Sequence, residues 1–295
     1  MILSFEEVIK DTTKVLLKEA SCTRLPGDVE SALKKAFKEA KSDIAKSQLE
    51  AILKNIELAR ETEKPMCQDT GIHIFFVRIG SKMKIDLGII EGAIKEGVAE
   101  ATKEIPLRPN VVHPLTRKNP GTNIGENMPH IYYEVLPGKD YMEITVFPKG
   151  AGSENMTTFR MLVPAQGKKG IKKFIMEWIA EKAKNACPPG VVGVGIGGTS
   201  DVAMNIAKEA LLRPIGSRNS DAEISALEDE LLKAINSLGI GPMGLGGKTT
   251  MLDVHIEYAY THTACLPVAI NLQCWAGRQA TGRIYQDGKV EIRRR

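Results

Sequence analysis

The chain has 295 residues, with 40 Lys and Arg against 36 Asp and Glu, so its formal net charge is +4. Hydrophobic residues make up 43% of it and charged residues 26%, a balance typical of globular proteins. This charge excess is too small to indicate nucleic-acid binding, and the apolar stretches are too short to span a membrane. The start of the chain lacks the basic and apolar regions of a signal peptide. Five cysteines in such a chain favour reduced thiols, and we expect a cytoplasmic protein.

The first part of the chain is predicted to be mainly helical. Apolar residues at helical spacing predict helices over residues 5–20, 28–41 and 43–63. A turn-rich break, PMCQDTG (65–71), then separates these helices from the strand-like segment IHIFFVRI (72–79). Another helix is predicted over residues 87–104.

The rest of the chain alternates predicted strands, helices and polar loops. Residues 106–130 form a long loop rich in Pro, Asn and Gly, and polar loops of that length are often functional. Two strands on either side of Pro137-Gly138 predict a hairpin, and Asp287-Gly288 predicts another near the end. Further elements are predicted as a loop (149–157), helices (168–185, 200–212, 221–237) and strands (251–261, 267–272).

Helices and strands that come in blocks with hairpins favour an α+β fold over a doubly wound parallel sheet. We expect a helical N-terminal part, with a possible helical subregion over residues 1–64. Mixed or antiparallel sheets flanked by helices should follow, and residues 1–295 should form a single domain.

Two glycine-rich segments partly match nucleotide-binding motifs. Gly193-x-Gly195-x-x-Gly198 follows a VVGV strand, but the acidic residue expected about 20 residues later is missing, which argues against a Rossmann oxidoreductase. Gly247-Lys248-Thr249 resembles the end of a P-loop. However, residue 242 is Pro where the motif needs Gly, and a strand-like segment follows instead of a helix. These glycines can still form an anion-binding nest of backbone N–H groups.

Three cysteines share a similar neighbourhood at the edges of regular elements, beside Gly, Pro or a polar amide: Cys67, Cys187 and Cys274. Their spacing matches neither a zinc ribbon nor a ferredoxin cluster, so from spacing alone they can equally be scattered thiols. Three thiolates can also hold a four-iron cubane that leaves one iron open as a Lewis acid for adding or removing water. Cys22 and Cys265 lack such loops and are interpreted as core or incidental residues.

Six parts of the chain, in order, form one pattern: PMCQDTG (65–71), LRPNVV (107–112) with RKNPGTN (117–123), KGAGSEN (149–155), CPPGVVGVGIGGT (187–199), YTHTA (260–264) and INLQCWAGR (270–278). Together they resemble the iron–sulfur class I fumarase/tartrate dehydratase family, over about residues 5–285. The likeness is to the N-terminal region of that family, or to its alpha subunit where the enzyme is split.

This resemblance implies a hydro-lyase in which Cys67, Cys187 and Cys274 hold a 4Fe–4S cluster in loops at element ends. The implied reaction is the reversible hydration of fumarate to (S)-malate. L-Tartrate dehydratase is the alternative, because the two substrates differ by one hydroxyl. A non-enzymatic iron–sulfur redox sensor or electron carrier is a third alternative, but such a protein normally has a fourth ligand, and no other cysteine here has a comparable loop.

The resemblance also implies roles for residues near the cluster. Asp69, two residues after Cys67, is expected to act as general acid or base, although an Asp there can instead cap its own turn. Gln68 is expected to offer its amide to a substrate carboxylate, or otherwise to pair with loop backbone. Arg108 is expected to bind a carboxylate of a small dicarboxylate substrate, unless it only makes a surface ion pair.

Other motif residues are expected to bind substrate or to shape the site. Gly150 and Gly152 allow backbone N–H groups to approach a carboxylate, and Ala151 between them departs slightly from the family pattern. The resemblance assigns His262, in YTHTA, a catalytic role, whereas a lone histidine is more often a core residue. Trp275 and Arg278 are expected to shape or neutralise the cluster pocket.

The resemblance implies a separate partner chain as well. Family members with one long chain continue into a smaller domain that supplies further basic residues and a threonine for the proton on carbon. We therefore expect an alpha subunit that works with a separate beta subunit, as a dimer of alpha–beta pairs, without nucleic acid or membrane partners.

Overall fold

The computed structural model describes residues 4–293, so the first three and last two residues of the chain lie outside it. The helices are α1 (Phe5–Lys18), α2 (Gly27–Glu39), α3 (Asp43–Thr62), α4 (Gly88–Glu104), α5 (Ala151–Glu154), α6 (Gly167–Lys182), α7 (Ser200–Ala210) and α8 (Ala222–Ser237). The strands are β1 (Ile72–Gly80), β2 (His130–Leu136), β3 (Tyr141–Lys149), β4 (Thr158–Leu162), β5 (Gly190–Gly197), β6 (Met251–Ala259), β7 (Leu266–Gln273), β8 (Ala280–Tyr285) and β9 (Val290–Arg293). The predicted α+β class is confirmed.

These elements divide into two compact units that exchange chain segments. Unit 1 contains the described residues up to Pro26, Asn55–Ala151 and the described residues from Arg278 onwards, and unit 2 contains Gly27–Lys54 and Gly152–Gly277. Described residues of the predicted helical subregion 1–64 are mainly helical, but they do not form a unit of their own. That residues 1–295 form a single domain stays a prediction.

Unit 1 is built on a mixed five-stranded sheet in the order β2-β1-β3-β8-β9, in which only β1 and β2 are parallel. Apolar residues such as Phe75 and Val77 are fully buried and place β1 inside the sheet. Helices α1 and α4 pack their apolar faces into the same core. A capping box starts α1, because Ser4 Oγ accepts from the Glu7 N–H and the Glu7 carboxylate accepts from the Ser4 N–H.

The hairpin predicted around Pro137-Gly138 is wrong. β2 and β3 do not pair with each other, because each pairs with β1 on opposite sides. The connection passes over the end of β1, where the Ser81 N–H donates to the Leu136 carbonyl at 3.0 Å and the Lys82 N–H to the Lys139 carbonyl at 2.8 Å. The strand pattern identified both strands but not their partner. The hairpin at Asp287-Gly288 is confirmed as β8–β9.

Unit 2 is built on a mixed four-stranded sheet in the order β4-β7-β5-β6, with β5 and β6 parallel. Helices α6 and α8 cover one face, where alternate residues of β5 to β7 are apolar. On the other face α7 lies very close to β5, since a Cβ placed on Gly195 would lie 2.0 Å from the Ala203 carbonyl oxygen. The glycines of the partial dinucleotide motif therefore serve helix–sheet packing. Among residues 4–293, none of the helices combines the length and apolar character needed to span a bilayer.

Candidate functional site

Asp69 is held at the end of the loop that leads from Cys67 into β1, in unit 1. Its Oδ2 accepts from the Ala151 N–H at 2.7 Å, and its Oδ1 accepts from the Gly71 N–H at 3.0 Å and from Asn110 Nδ2 at 3.4 Å. The turn-capping interpretation of this residue is therefore visible, and its catalytic role stays a prediction. The carboxylate closes its own turn, as an Asx turn does, and it is also fixed by two distant segments while half-buried.

Arg278 holds the same loop by a hydrogen bond to its backbone. This side chain is 1% exposed, and its Nη1 donates to the Asp69 carbonyl oxygen at 2.8 Å. Burial and the charge of Arg278 lower the pKa of the neighbouring His73 to about 4, so this histidine is neutral near pH 7. A guanidinium thus supplies buried positive charge beside the backbone of Asp69.

The long polar loop contacts the Asp69 turn through Arg108 and Asn110. The Arg108 N–H donates to Thr70 Oγ1 at 3.0 Å, while the Arg108 side chain is exposed. Asn110 Nδ2 also donates to the Gly71 carbonyl at 3.1 Å. This arrangement places the backbone of Arg108 next to the Asp69 turn, with its side chain exposed. Gln68 is exposed in the same loop, and Cys67 is half-buried.

Asn123 fixes that loop from inside and was not identified from the sequence. Its Oδ1 accepts from the Asn110 N–H at 2.6 Å, and its Nδ2 donates to the Arg108 carbonyl at 3.0 Å and to Thr102 Oγ1 at 3.1 Å. Asn110 was missed as well, although both asparagines lie in motifs that the sequence analysis quoted. The available signal was their type, since Asn side chains commonly hold loop backbone.

The loops that carry Cys187 and Cys274 meet in unit 2. Cys187 follows a 3₁₀ turn (Ala183–Ala186) and has a left-handed backbone with φ of 51°, and its carbonyl accepts from the Trp275 N–H at 3.1 Å. Next to Cys274, Gln273 Nε2 donates to the Ala276 carbonyl at 3.1 Å. Both cysteines are half-buried. The structure therefore brings two of the three predicted ligands to one end of the unit 2 sheet, whereas Cys67 belongs to unit 1.

The KGAGSEN motif is divided between the two units, with Gly150 and Ala151 in unit 1 and Gly152 in unit 2. A Cβ on Gly150 would lie 3.1 Å from Asp69 Oδ2 and 3.4 Å from Arg278 Nη2. The absence of a side chain at Gly150 therefore lets the backbone pack closely against the side chains of Asp69 and Arg278. Ala151 donates its amide to Asp69 and begins one turn of helix where the sequence predicted a loop. In unit 2, Gly152 lies beside the Asn185 carbonyl, just before Cys187. Carboxylate binding by Gly150 and Gly152 stays a prediction.

His262 lies away from the unit 2 cysteines. It follows Thr261, whose hydroxyl donates to the Gly198 carbonyl at 2.9 Å, beyond the end of β5. Because β7 runs antiparallel to β5, the His262 loop and Cys274 are at opposite ends of β7, whose eight residues span about 26 Å. The catalytic role of His262 stays a prediction.

The remaining cysteines fit the interpretation given to them. Cys22 is fully buried, and burial raises the pKa of its thiol to about 11. Cys265 is half-buried in the His262 loop, where its N–H donates to the His262 carbonyl at 2.8 Å. Within residues 4–293, no group of three or more His, Cys, Asp or Glu side chains is arranged to hold a metal ion.

Comparison with known proteins identifies the family. A family model described as fumarate hydratase (Fumerase) matches residues 10–283. The chain belongs to the fumarate hydratase (Fumerase) family. It is 54% identical over 285 residues to "Putative L(+)-tartrate dehydratase subunit alpha" of Methanocaldococcus jannaschii, covering 96% of this chain and 99% of that protein. It is also 38% identical over 265 residues to the L(+)-tartrate dehydratase subunit alpha of Escherichia coli K12 and of Shigella sonnei, covering 90% of this chain and 87% of each relative.

Membership of the Fumerase family confirms the predicted resemblance and the prediction of a hydro-lyase. Its model spans the segments that lead to Asp69 and to Cys187 and Cys274. Asp69 in unit 1 and Cys187 and Cys274 in unit 2 are therefore candidate functional residues of a hydro-lyase.

Proposed function

We propose that this Fumerase-family chain is the alpha subunit of an enzyme that reversibly hydrates fumarate to (S)-malate. The observation that carries the proposal is the fixed Asp69 carboxylate, two residues from Cys67 and beside the exposed Arg108. Hydration needs a group that takes a proton from water. Binding of a dianionic substrate needs a cationic side chain such as Arg, whose guanidinium can bind a carboxylate through two hydrogen bonds. Unit 1 supplies both groups, because the Arg108 N–H donates to the hydroxyl of Thr70, the residue after Asp69.

We propose that Cys67, Cys187 and Cys274 are the ligands of a 4Fe–4S cluster. All three thiols are half-buried in loops at element ends, and thiolates are the preferred ligands of iron–sulfur clusters. Arg278 adds a buried positive charge at the carbonyl of Asp69, two residues after Cys67. Such a charge suits an anionic cluster and substrate. When bound, a cluster with one iron lacking a protein ligand supplies a Lewis acid that makes hydroxide a better leaving group.

Residues of this chain would handle substrate and proton as follows. Arg108 would hold one carboxylate of fumarate or malate, with the exposed Gln68 amide as a further donor. In hydration, Asp69 would take a proton from water as the water oxygen bonds to one carbon of fumarate, and the other carbon would receive its proton from a group of the second chain. In dehydration both proton transfers would run in reverse, and Asp69 would protonate the departing hydroxide. Its three N–H donors hold the carboxylate in one orientation, which reduces the entropy lost on reaching the transition state.

L-Tartrate is the second candidate substrate, and a specific observation favours it. The relatives are named as L(+)-tartrate dehydratase subunits alpha, with identities of 38% to 54%. Tartrate differs from malate by one hydroxyl, so a small change in the pocket decides between them. The same names support a separate beta subunit, and we propose a dimer of alpha–beta pairs in the cytoplasm.

The proposal is tested on the chain co-expressed with a candidate beta subunit and reconstituted anaerobically with iron and sulfide. Initial rates of fumarate hydration and of L-tartrate dehydration are compared as kcat/KM, alongside iron and sulfide content. Cys67→Ser, Cys187→Ser and Cys274→Ser should each lower iron content and activity together. Cys265→Ser is the matched control, since it removes another half-buried thiol.

Three results would decide against parts of the proposal. Full iron content in all three serine variants would exclude these ligands. A higher kcat/KM for L-tartrate would replace fumarate as the substrate. A cluster that is reduced and reoxidised reversibly, without any hydration activity in the assembled enzyme, would favour the redox protein instead.

A further inference from the structure

The glycine-rich segment of residues 239–247, here called the glycine loop, curls back on itself through its own backbone. The Gly246 N–H donates to the Ile240 carbonyl at 2.8 Å, and the Gly247 N–H donates to the Gly239 carbonyl at 3.2 Å. The Gly244 N–H likewise donates to the Gly241 carbonyl at 3.1 Å. These amides are occupied within the loop, so they are not available as the anion-binding nest suggested by the sequence.

One amide of the glycine loop points to a different part of unit 2. The Met243 N–H donates to the Pro188 carbonyl at 2.8 Å, immediately after Cys187. Cys187 itself has φ of 51°, which is unfavourable for a residue with a Cβ, and its carbonyl accepts from the Trp275 N–H. Two successive carbonyls, those of Cys187 and Pro188, are thus fixed by separate segments.

We propose that the glycine loop is a positioning element that holds Cys187 in its left-handed conformation and so aims its thiol. A left-handed non-glycine residue persists only where its surroundings determine its conformation, and here those surroundings are the Met243 and Trp275 amides. The inference rests on the proposed function to the extent that Cys187 is a cluster ligand. The positioning itself is a property of unit 2 alone.

Two glycines of this loop form a pair for a test. Gly241 and Gly239 both have positive φ values, of 70° and 69°, but the ψ of −178° places Gly241 in a region that only glycine normally adopts, so alanine adds more backbone strain there. A Cβ on Gly241 would lie 2.2 Å from the Gly246 carbonyl carbon, whereas a Cβ on Gly239 meets no atom within 4 Å. Gly241→Ala must therefore open the loop, and Gly239→Ala need not.

The first measurement is the alkylation rate of each cysteine in the metal-free chain, by mass spectrometry at fixed pH. We expect Gly241→Ala to raise the Cys187 rate about tenfold relative to the Cys265 rate in the same molecules, and Gly239→Ala to change it less than about twofold. A general loss of stability would raise both rates together. The ratio therefore isolates the effect on Cys187.

The second measurement is the iron content and the electron paramagnetic resonance spectrum of the reconstituted enzyme after one-electron reduction of the cluster. A displaced Cys187 should change the line shape, which mere destabilisation of the fold would not do, and should also shorten the lifetime of the cluster in air. Thr250→Val is a milder second variant if Gly241→Ala does not fold, because Thr250 Oγ1 accepts from the Gly241 N–H at 3.1 Å. Thr249→Val is its neighbouring control.

Equal Cys187 alkylation ratios in Gly241→Ala, Thr250→Val and their controls would overturn the inference. The failure of the proposed function has a different signature. In that case the alkylation ratios would respond as expected, while wild-type chain with its partner would bind no iron or would not hydrate fumarate.

Discussion

The carboxylate of Asp69 performs two tasks that substitution can separate. An amide at this position can still close the turn to Gly71, because its carbonyl oxygen accepts the same N–H, although its NH2 group cannot accept from the Ala151 N–H. It cannot accept a proton from water at neutral pH. We therefore expect Asp69→Asn to lower kcat about 100- to 10,000-fold, the usual loss for a general acid–base group, with iron content unchanged.

Asp86→Asn is the matched control for Asp69→Asn. Asp86 also stands two residues before a glycine, and its Oδ1 accepts from the Gly88 N–H at 2.8 Å. Steady-state kinetics and thermal unfolding are measured for both variants. Equal, small effects would mean that Asp69 is only a turn residue and would remove it from the mechanism.

His73 predicts a pH dependence of stability. Its pKa is lowered to about 4 by burial and by Arg278, against about 6.5 in an unfolded chain. Between these values the unfolded state binds more protons, so the free energy of unfolding falls as the pH falls from about 6.5 to about 4. We expect His73 to contribute a loss of about 3 kcal/mol over this range, measured by urea unfolding at several pH values.

Substitution of His73 should remove that part of the pH dependence. His73→Leu replaces a buried ring whose nitrogens lack hydrogen-bond partners among the described residues, so the fold can tolerate it at pH 7. His130→Gln changes an exposed histidine and should leave the profile unaltered. An unchanged slope in His73→Leu would show that another group is responsible.

At the scale of elements, the side chain of Asn123 holds the polar loop over 106–130 in one conformation by hydrogen bonds. It joins the end of α4, through Thr102, to the backbone of Arg108 and Asn110. We expect Asn123→Ala to lower the free energy of unfolding by about 3 kcal/mol, because several buried hydrogen bonds are lost together. It should also raise KM more than it lowers kcat, since Arg108 loses its anchor.

Asn127→Ala controls for the backbone strain in that experiment. Asn127 has φ of 55° and Asn123 of 59°, but Asn127 is exposed. Alanine therefore carries the same left-handed penalty at both positions. If the two variants changed urea unfolding and KM alike, the hydrogen bonds of Asn123 would not be what holds the loop.

Elements with a strong local pattern could be predicted, but strand pairing could be predicted only for the β8–β9 hairpin, where Asp287-Gly288 is a strong turn signal. The segment over 72–79 is confirmed as β1, the helix over 87–104 as α4, and the loop over 106–130 lacks helix and strand until β2 begins. The hairpin failed because alternation of apolar and polar residues defines a strand but not its neighbour. The fully buried run of β1 takes the inner position between β2 and β3.

For the whole molecule, the motifs indicated which segments matter but not what each residue touches. Asp69 and Arg108 were identified because they stand inside recognisable motifs. Arg278 was expected beside Cys274, yet it contacts the Asp69 carbonyl, more than 200 positions away in the chain. No local pattern encodes such a contact, because it depends on how distant segments pack.

The dependence on a partner chain is the prediction that concerns the whole molecule. Relatives that align over 87% to 99% of their length are named as alpha subunits, so the functional enzyme is expected to contain a second chain. Anaerobically reconstituted alone, this chain should bind about four irons yet hydrate fumarate at least about 100-fold more slowly than the assembled pair. The loss would reflect missing charge-assisted contacts to the substrate.

Titrating the candidate beta subunit into the reconstituted chain tests this directly. Activity should rise with the concentration of the second chain and saturate at a fixed ratio, while iron per alpha chain stays constant. The Asp69→Asn chain is the control, because it should assemble with the same stoichiometry without gaining activity. Full turnover by the isolated wild-type chain would instead place every essential residue within this sequence and would make the separate subunit dispensable.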